Sequence, residues 1–200
     1  MERLPSENRL KSLYIGRGKS AFEISREFGC SEHKVNYWLR KYNIPKRSIA
    51  DAMYRKNNPD GDPFRLKKIK TLEDAKLCGL GLGLYWGEGN KKNKNSIRLG
   101  NTDPKLIKKF LDFLVKILGI SKNKLKFGLQ IFSDMPSNKT LNFWLNNLSK
   151  YGINKRQFFK TTVTPSRSLG NYREKSKYGV LTVHFCNTKL KKIIDNMLPK

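Results

Sequence analysis

Between Asp74 and Asp103 the chain carries one acid, Glu88, and Lys91, Lys92, Lys94 and Arg98 follow it closely. A lone carboxylate among cations has two uses. It can hold a hard divalent metal beside phosphodiester chemistry, since such ions take oxygen ligands. Alternatively it pairs with a neighbouring lysine at the surface, which contributes little energetically. Glu88 falls near the end of the run Leu77-Cys78-Gly79-Leu80-Gly81-Leu82-Gly83-Leu84-Tyr85-Trp86-Gly87-Glu88-Gly89. The run is not a dinucleotide fingerprint, because Leu84 or Trp86 stands where the last glycine is needed. It also lacks the Gly-Lys-Ser/Thr ending of a nucleotide-phosphate loop.

As a strand, this run would put every glycine on one face and leave nothing to pack there. As a helix, it places Gly79, Gly83 and Gly87 at i, i+4 and i+8, forming a bare groove. Each interior glycine costs about 1 kcal/mol against alanine, a cost tolerated where another backbone comes close. The helix reading therefore predicts a seam at Gly79, Gly83 and Gly87, with a second copy of the helix across a two-fold axis as its partner. It also puts Glu88 at the negative end of the helix dipole, where a carboxylate calls for a cation.

Other groups bear on phosphate chemistry. Arg98, Lys126, Gln130, Lys160 and His184 fall on predicted strands. If the sheet forms a saddle, some of them face phosphates or base edges, and Gln130 or Lys160 could position an attacking water. A one-residue register shift would reverse every facing. His184, between Val183 and Phe185, faces away from both and reads first as a structural histidine. Arg167, Arg173 and Lys175 lie in a basic loop and are candidate phosphate contacts.

The elements that must position these groups are legible as two blocks. Residues 6–43 read as three short helices, with Leu10, Leu13 and Tyr14 on one face of the first. Ser20 caps the second, with Glu23 at the capping-box position and Phe22, Ile24 and Phe28 along it. Ser31 caps the third, where Val35, Trp38, Leu39 and Tyr42 follow the i, i+3, i+4, i+7 pattern. Gly29 sits where a tight helix-turn-helix needs a left-handed residue. The outer face of the third helix then carries His33, Lys34, Asn36, Tyr37 and Arg40, types that hydrogen-bond base edges or phosphates in a major groove.

Residues 48–70 read as a connector with a short helix at Ser48–Lys56. The turn formers Asn57-Asn58-Pro59-Asp60-Gly61-Asp62-Pro63 mark the boundary. From Thr71 the order is helix, strand (Ser96–Asn101), helix from Pro104, strand (Leu125–Phe132), helix (Pro136–Tyr151), strands (Phe158–Val163 and Tyr178–Phe185) and a helix over Asn187–Leu198. The expected architecture is α+β: a small all-α domain over 1–47, a linker over 48–70, and an α+β domain over 71–200 with a mostly antiparallel sheet.

Composition limits the function. There are 42 basic and 16 acidic residues in 200, a formal charge of +26. Residues 1–70 carry 17 basic and 8 acidic groups and residues 71–200 carry 25 and 8, so both blocks are basic. Such a charge points to a polyanionic partner, since Lys and Arg release counterions from nucleic-acid phosphates. Three scattered cysteines and two histidines argue against zinc and against a disulfide framework. No apolar run reaches the roughly 18–20 residues of a membrane helix. Met1-Glu2-Arg3-Leu4-Pro5 opens without an apolar signal core, so a cytoplasmic location is expected.

Two resemblances sharpen this reading. Glu23-Ile24-Ser25-Arg26-Glu27-Phe28-Gly29-Cys30-Ser31 followed by Val35-Asn36-Tyr37-Trp38-Leu39 resembles the resolvase-like helix-turn-helix, over about a fifth of the chain. Leu82-Gly83-Leu84-Tyr85-Trp86-Gly87-Glu88-Gly89, with Asn101-Thr102-Asp103-Pro104 opening the next helix, resembles a divergent LAGLIDADG motif of homing endonucleases. That likeness spans roughly 71–198. It implies motif helices packed across a two-fold axis, and a catalytic Mg²⁺ or Mn²⁺ held at Glu88 beside the final glycine, Gly89. Trp86 replaces the first acid of the family pattern, Glu88 replaces the usual Asp, and Asn90–Asn95 is short for a first hairpin. With one motif copy, a homodimer would supply the two acids. The expectation is a double-stranded-DNA-binding protein, most simply a divalent-metal-dependent endonuclease. The alternatives are a non-catalytic DNA-binding regulator on the same fold and an RNA-binding protein, because fold does not settle activity.

Overall fold

The computed structural model describes residues 5–166 and 176–199. The chain divides into two compact units, Met1–Asp62 and Pro63–Lys200. The division falls within the turn-rich run that ends at Pro63.

In the first unit, α1 (Glu7–Lys11) runs into a single π-helical turn over Ser12–Gly16. α2 (Ala21–Glu27), α3 (Glu32–Lys41) and α4 (Ile49–Asn57) follow. The starts of α2 and α3 are fixed by side-chain caps. The Glu23 N–H donates to Ser20 Oγ (3.1 Å) while the Ser20 N–H donates to the Glu23 carboxylate (2.7 Å), and the Lys34 N–H donates to Ser31 Oγ (3.3 Å). Gly29 takes φ +63° between the two helices. The core joins Leu10, Leu13, Tyr14, Ala21, Ile24, Val35, Trp38, Leu39 and Ile44. Phe28 only packs against its edge, and Phe22, expected with Ile24, points into solvent under Arg26.

The second unit begins earlier than the linker expectation. Phe64 is buried in its core, and the Arg65 N–H donates to the Leu118 and Gly119 carbonyls. Residues 63–70 therefore belong to this unit rather than to a free connector. α5 (Leu72–Glu88) is capped by Thr71, whose Oγ1 accepts from the Asp74 N–H at 3.1 Å. Then come β1 (Ser96–Asn101), α6 (Pro104–Asp112) with a π turn to Ile117, β2 (Lys126–Phe132), α7 (Ser137–Leu148), β3 (Thr162–Thr164), β4 (Val180–Cys186) and α8 (Thr188–Met197). Eight α-helices and a four-stranded sheet are thus present among the described residues, an α+β architecture.

The strand order is β1-β4-β2-β3. β4 pairs antiparallel with both β1 and β2, while β3 pairs parallel with β2. The sheet is mixed, and the parallel pair follows from α7 acting as the crossover that returns the chain alongside β2. Alternate strand residues Ile97, Leu99, Phe127, Leu129, Ile131, Leu181, Val183 and Phe185 face one core with Phe110, Phe113, Trp144 and Leu190 from the helices. The other face of the sheet is open.

The third strand is shorter than the sequence pattern predicts. Phe158 bridges Phe127 and the Phe159 N–H donates to the Phe127 carbonyl (2.8 Å), but regular pairing resumes only at Gln130–Thr162. Between those pairings two residues on β2 stand against three on the partner, which is a bulge. Lys160, expected on a strand, sits in that bulge, exposed and outside β3.

Candidate nucleic-acid interface

The open face of the sheet gathers three of the five predicted strand side chains, Arg98, His184 and Lys126, into one row. Arg98 on β1 stands directly opposite His184 on β4, and His184 stands opposite Lys126 on β2. Thr182 occupies the next row between Gly100 and Gly128, and Gln130 follows opposite Val180 and Thr162. Gln130 Nε2 donates to Thr164 Oγ1 at 3.0 Å. Phe159, outside the sequence-derived set, meets His184 edge to face with ring centroids 5.3 Å apart. The two glycines flank Thr182, and the space a Cβ would take at Gly100 belongs to Thr182 and at Gly128 to His184.

The electrostatics of the row are uniform in sign. Burial holds the His184 imidazole below its ordinary 6.5, and the Arg98 guanidinium acts in the same direction. At neutral pH His184 is therefore uncharged between two permanent cations. Arg98 is itself oriented by Ser96, its Nε donating to Ser96 Oγ at 2.7 Å.

Glu88 lies at the edge of this sheet. Gly89 bridges Leu99, and the Asn90 N–H donates to the Arg98 carbonyl at 2.9 Å, so the end of α5 is stitched to β1. Tyr85 anchors the junction. It is fully buried, stacks on Phe110, and donates its hydroxyl to the Asn90 carbonyl at 3.0 Å. Burial, with Asp195 adding to it, pushes the Tyr85 phenol up to about 12. Beneath it Lys191, only 1% exposed, pairs with Asp195 and lies 5.8 Å from the Tyr85 ring centroid.

The lysine partner considered for Glu88 goes elsewhere. Lys91 Nζ donates to the Trp86 carbonyl (2.6 Å) and the Gly87 carbonyl (3.5 Å), capping the open end of the helix. The carboxylate of Glu88 is exposed, with no hydrogen bond or ion pair among the described residues. Nor do the described residues contain three or more His, Cys, Asp or Glu grouped as a metal site. One chain thus presents one carboxylate at this position, which is too few oxygens to hold a hard divalent ion by itself. Lys92 and Lys94 are exposed on the following loop, while Arg167, Arg173 and Lys175 lie outside the described residues.

The glycines of α5 divide by face. Gly79, Gly83 and Gly87 are exposed, and a Cβ at any of them would meet nothing within 4 Å. Leu72, Leu80 and Trp86 (56% exposed) are exposed along the same helix. Gly81 and Gly89 are different. A methyl at Gly81 would overlap the Phe113 ring, and one at Gly89 would overlap Tyr85. Intramolecular packing therefore accounts for those two glycines and not for the other three.

In the first unit, His33, Tyr37 and Arg40 are exposed on α3, and Asn36 is half-buried. Lys34 is half-buried too, its ammonium 5.7 Å from the Trp38 ring centroid. Arg47 was not legible as a functional or structural residue. Its guanidinium donates to the carbonyls of Tyr14 (2.6 Å), Gly18 (2.8 Å) and Lys19 (2.6 Å) and stacks over the Tyr14 ring. It locks the loop between the first two helices, and nothing in local spacing signals contacts across 28 to 33 residues.

Comparison with protein-family models, with curated proteins and with solved structures finds no match to this chain. No helix among the described residues is long and apolar enough to cross a membrane.

Proposed function

We propose that the protein binds double-stranded DNA as a homodimer. The observation that carries this reading is the in-register row Arg98–His184–Lys126 on the open sheet face, in a chain of net charge +26. Cations spaced across neighbouring strands suit contacts to successive phosphates. The exposed face of α3, with His33, Tyr37 and Arg40, supplies the groove-reading part in a helix-turn-helix arrangement. The homodimer rests on the three exposed glycines of α5, which give a close-approach surface that the chain itself does not use.

On the LAGLIDADG resemblance this dimer would be a divalent-metal-dependent endonuclease, in which Glu88 of each copy, beside Gly89, would help hold Mg²⁺ or Mn²⁺. A single chain does not fit such an ion, so no step of cutting is derived from it. A second reading, a non-catalytic DNA-binding regulator in the cytoplasm, is favoured by the solitary exposed Glu88. One experiment separates them. Purified protein is incubated with a duplex DNA library and Mg²⁺, Mn²⁺ or EDTA, alongside Glu88→Gln. Discrete metal-dependent cuts lost in Glu88→Gln support the endonuclease. Site-specific binding that Glu88→Gln leaves intact, with no cutting in either metal, supports the regulator. Absence of binding to any duplex overturns both.

A further inference from the structure

The segment that opens the second unit is a fixed strap rather than a loose tether. Phe64 plugs into the core. The Arg65 N–H donates to the Leu118 and Gly119 carbonyls (3.1 and 3.3 Å), the Lys67 N–H to Ile117 (2.8 Å), and the Ser121 N–H to Pro63 (3.1 Å). Gly119, at φ +62°, has the Arg65 backbone pressed against it where a Cβ would stand, so the strap lies down only because that residue is glycine. Between the strap and the π turn after α6 runs an open groove of about 490 Å³, lined by Arg65, Leu66, Lys67, Lys68 and Lys116.

Four of those five lining residues are cations, and only two have acids. Lys67 pairs with Asp74 (2.9 Å) and Lys116 with Asp112 (3.3 Å). Arg65 and Lys68 are exposed and form no ion pair among the described residues. The groove therefore keeps uncompensated positive charge on a rigid backbone. Its position is informative. The Lys67–Asp74 pair ties it to the first turn of α5, and the 14 residues from Asp74 to Glu88 make roughly 20 Å of helix. A phosphate near Glu88 cannot also sit in this groove.

We infer that the strap groove is a second DNA-backbone site, in which Arg65 and Lys68 hold phosphates of a duplex segment separate from the one at the sheet. This rests on the DNA-binding reading proposed above. The contacts are to phosphate, without base readout, so the site adds affinity and salt dependence equally on every sequence.

The test is the salt slope of binding by the full chain to a random-sequence duplex, followed by fluorescence anisotropy. Each lost phosphate contact lowers the slope of log K against log salt by about 0.9. Arg65→Gln with Lys68→Gln should lower it by about 1.8 and weaken binding alike on random and selected duplexes. A charge-matched control, Lys109→Gln with Lys192→Gln on exposed positions of α6 and α8, should leave the slope within error. An unchanged slope in the strap variant, with the wild type still bound, overturns the second site and leaves the DNA reading standing. An equal fall in the control also overturns it, since net charge alone would then explain the loss. If the wild type binds no duplex at all, the DNA reading itself fails and takes this site with it. Circular dichroism of both variants guards against misfolding, and a folded strap variant with the reduced slope sustains the inference.

Discussion

Gly89 closes α5 directly on Tyr85: its N–H donates to the Tyr85 carbonyl at 2.9 Å, and the space a side chain would fill belongs to the Tyr85 ring. The glycine after Glu88 is thus required by packing inside one chain, whatever the carboxylate does. Gly89→Ala should destabilise the second unit by about 1–3 kcal/mol, the usual cost of overpacking. Thermal unfolding of the full chain, read against wild type, checks this.

Gly81 and Gly83 are two residues apart and should respond in opposite ways. Gly81→Ala drives a methyl into Phe113 and should lower stability by a similar amount. Gly83→Ala meets open space in one chain and should raise monomer stability by about 0.5–1 kcal/mol through helix propensity. In the proposed homodimer its methyl would fall in the seam, so sedimentation should show weaker association. A Gly83→Ala variant that associates as tightly as wild type would remove α5 as the dimer face.

Lys191 is buried against Tyr85 with Asp195 as its ion-pair partner. Asp195→Asn leaves that buried ammonium without its counter-charge and should cost about 3 kcal/mol. Lys191→Met removes the charge and keeps the packing, so it should cost much less. Urea unfolding of the two variants gives the comparison, and equal losses would show that packing rather than charge matters there.

His184 makes a pH prediction with two signs. Its folded pKa lies below the ordinary 6.5, so the unfolded chain takes up a proton first as pH falls. Stability is unaffected above that value and declines as pH drops from 6.5 toward the folded pKa. A bound phosphate favours the protonated ring between Arg98 and Lys126, so DNA affinity should rise over the same range. His184→Gln should flatten both profiles, measured by chemical denaturation and by anisotropy from pH 5 to 8.

At the other end of the chain, the Ser20 backbone N–H and hydroxyl hold the Glu23 carboxyl below the usual carboxylate range. A depressed folded pKa stabilises above the unfolded value and is lost as pH falls through the folded one. Ser20→Ala should cost the first unit about 1 kcal/mol at neutral pH and should reduce its sensitivity to acid. Circular dichroism melts at neutral and acid pH give both quantities.

What local chemistry dictates was legible in the chain. Ser20 and Ser31 read as helix caps, and each side chain accepts a backbone N–H from the first turn of its helix, as Thr71 and Asp103 do at the starts of α5 and α6. Alternation along β2 was legible as well, but not which of its faces is open, since a one-residue shift reverses it; the strand pairing puts Arg98, Lys126 and Gln130 on the face opposite Leu99, Phe127 and Leu129. The Gly/Leu run resolved as a helix for the same kind of reason: a strand would have left its glycine face empty. Pairing was not legible in this way. That β3 runs parallel to β2, that a bulge displaces Lys160, and that Lys91 caps α5 instead of meeting Glu88 all depend on contacts between segments. So do Arg47 clamping the Tyr14–Lys19 loop and Phe64 drawing the strap into the second core. Local signals act through a turn of helix or a step of strand, whereas these contacts join residues that only the packed chain brings together. The sequence alone thus determined the helices, the central strands and the charge they carry; the tertiary structure decided where the third strand begins and which of those charges stand side by side.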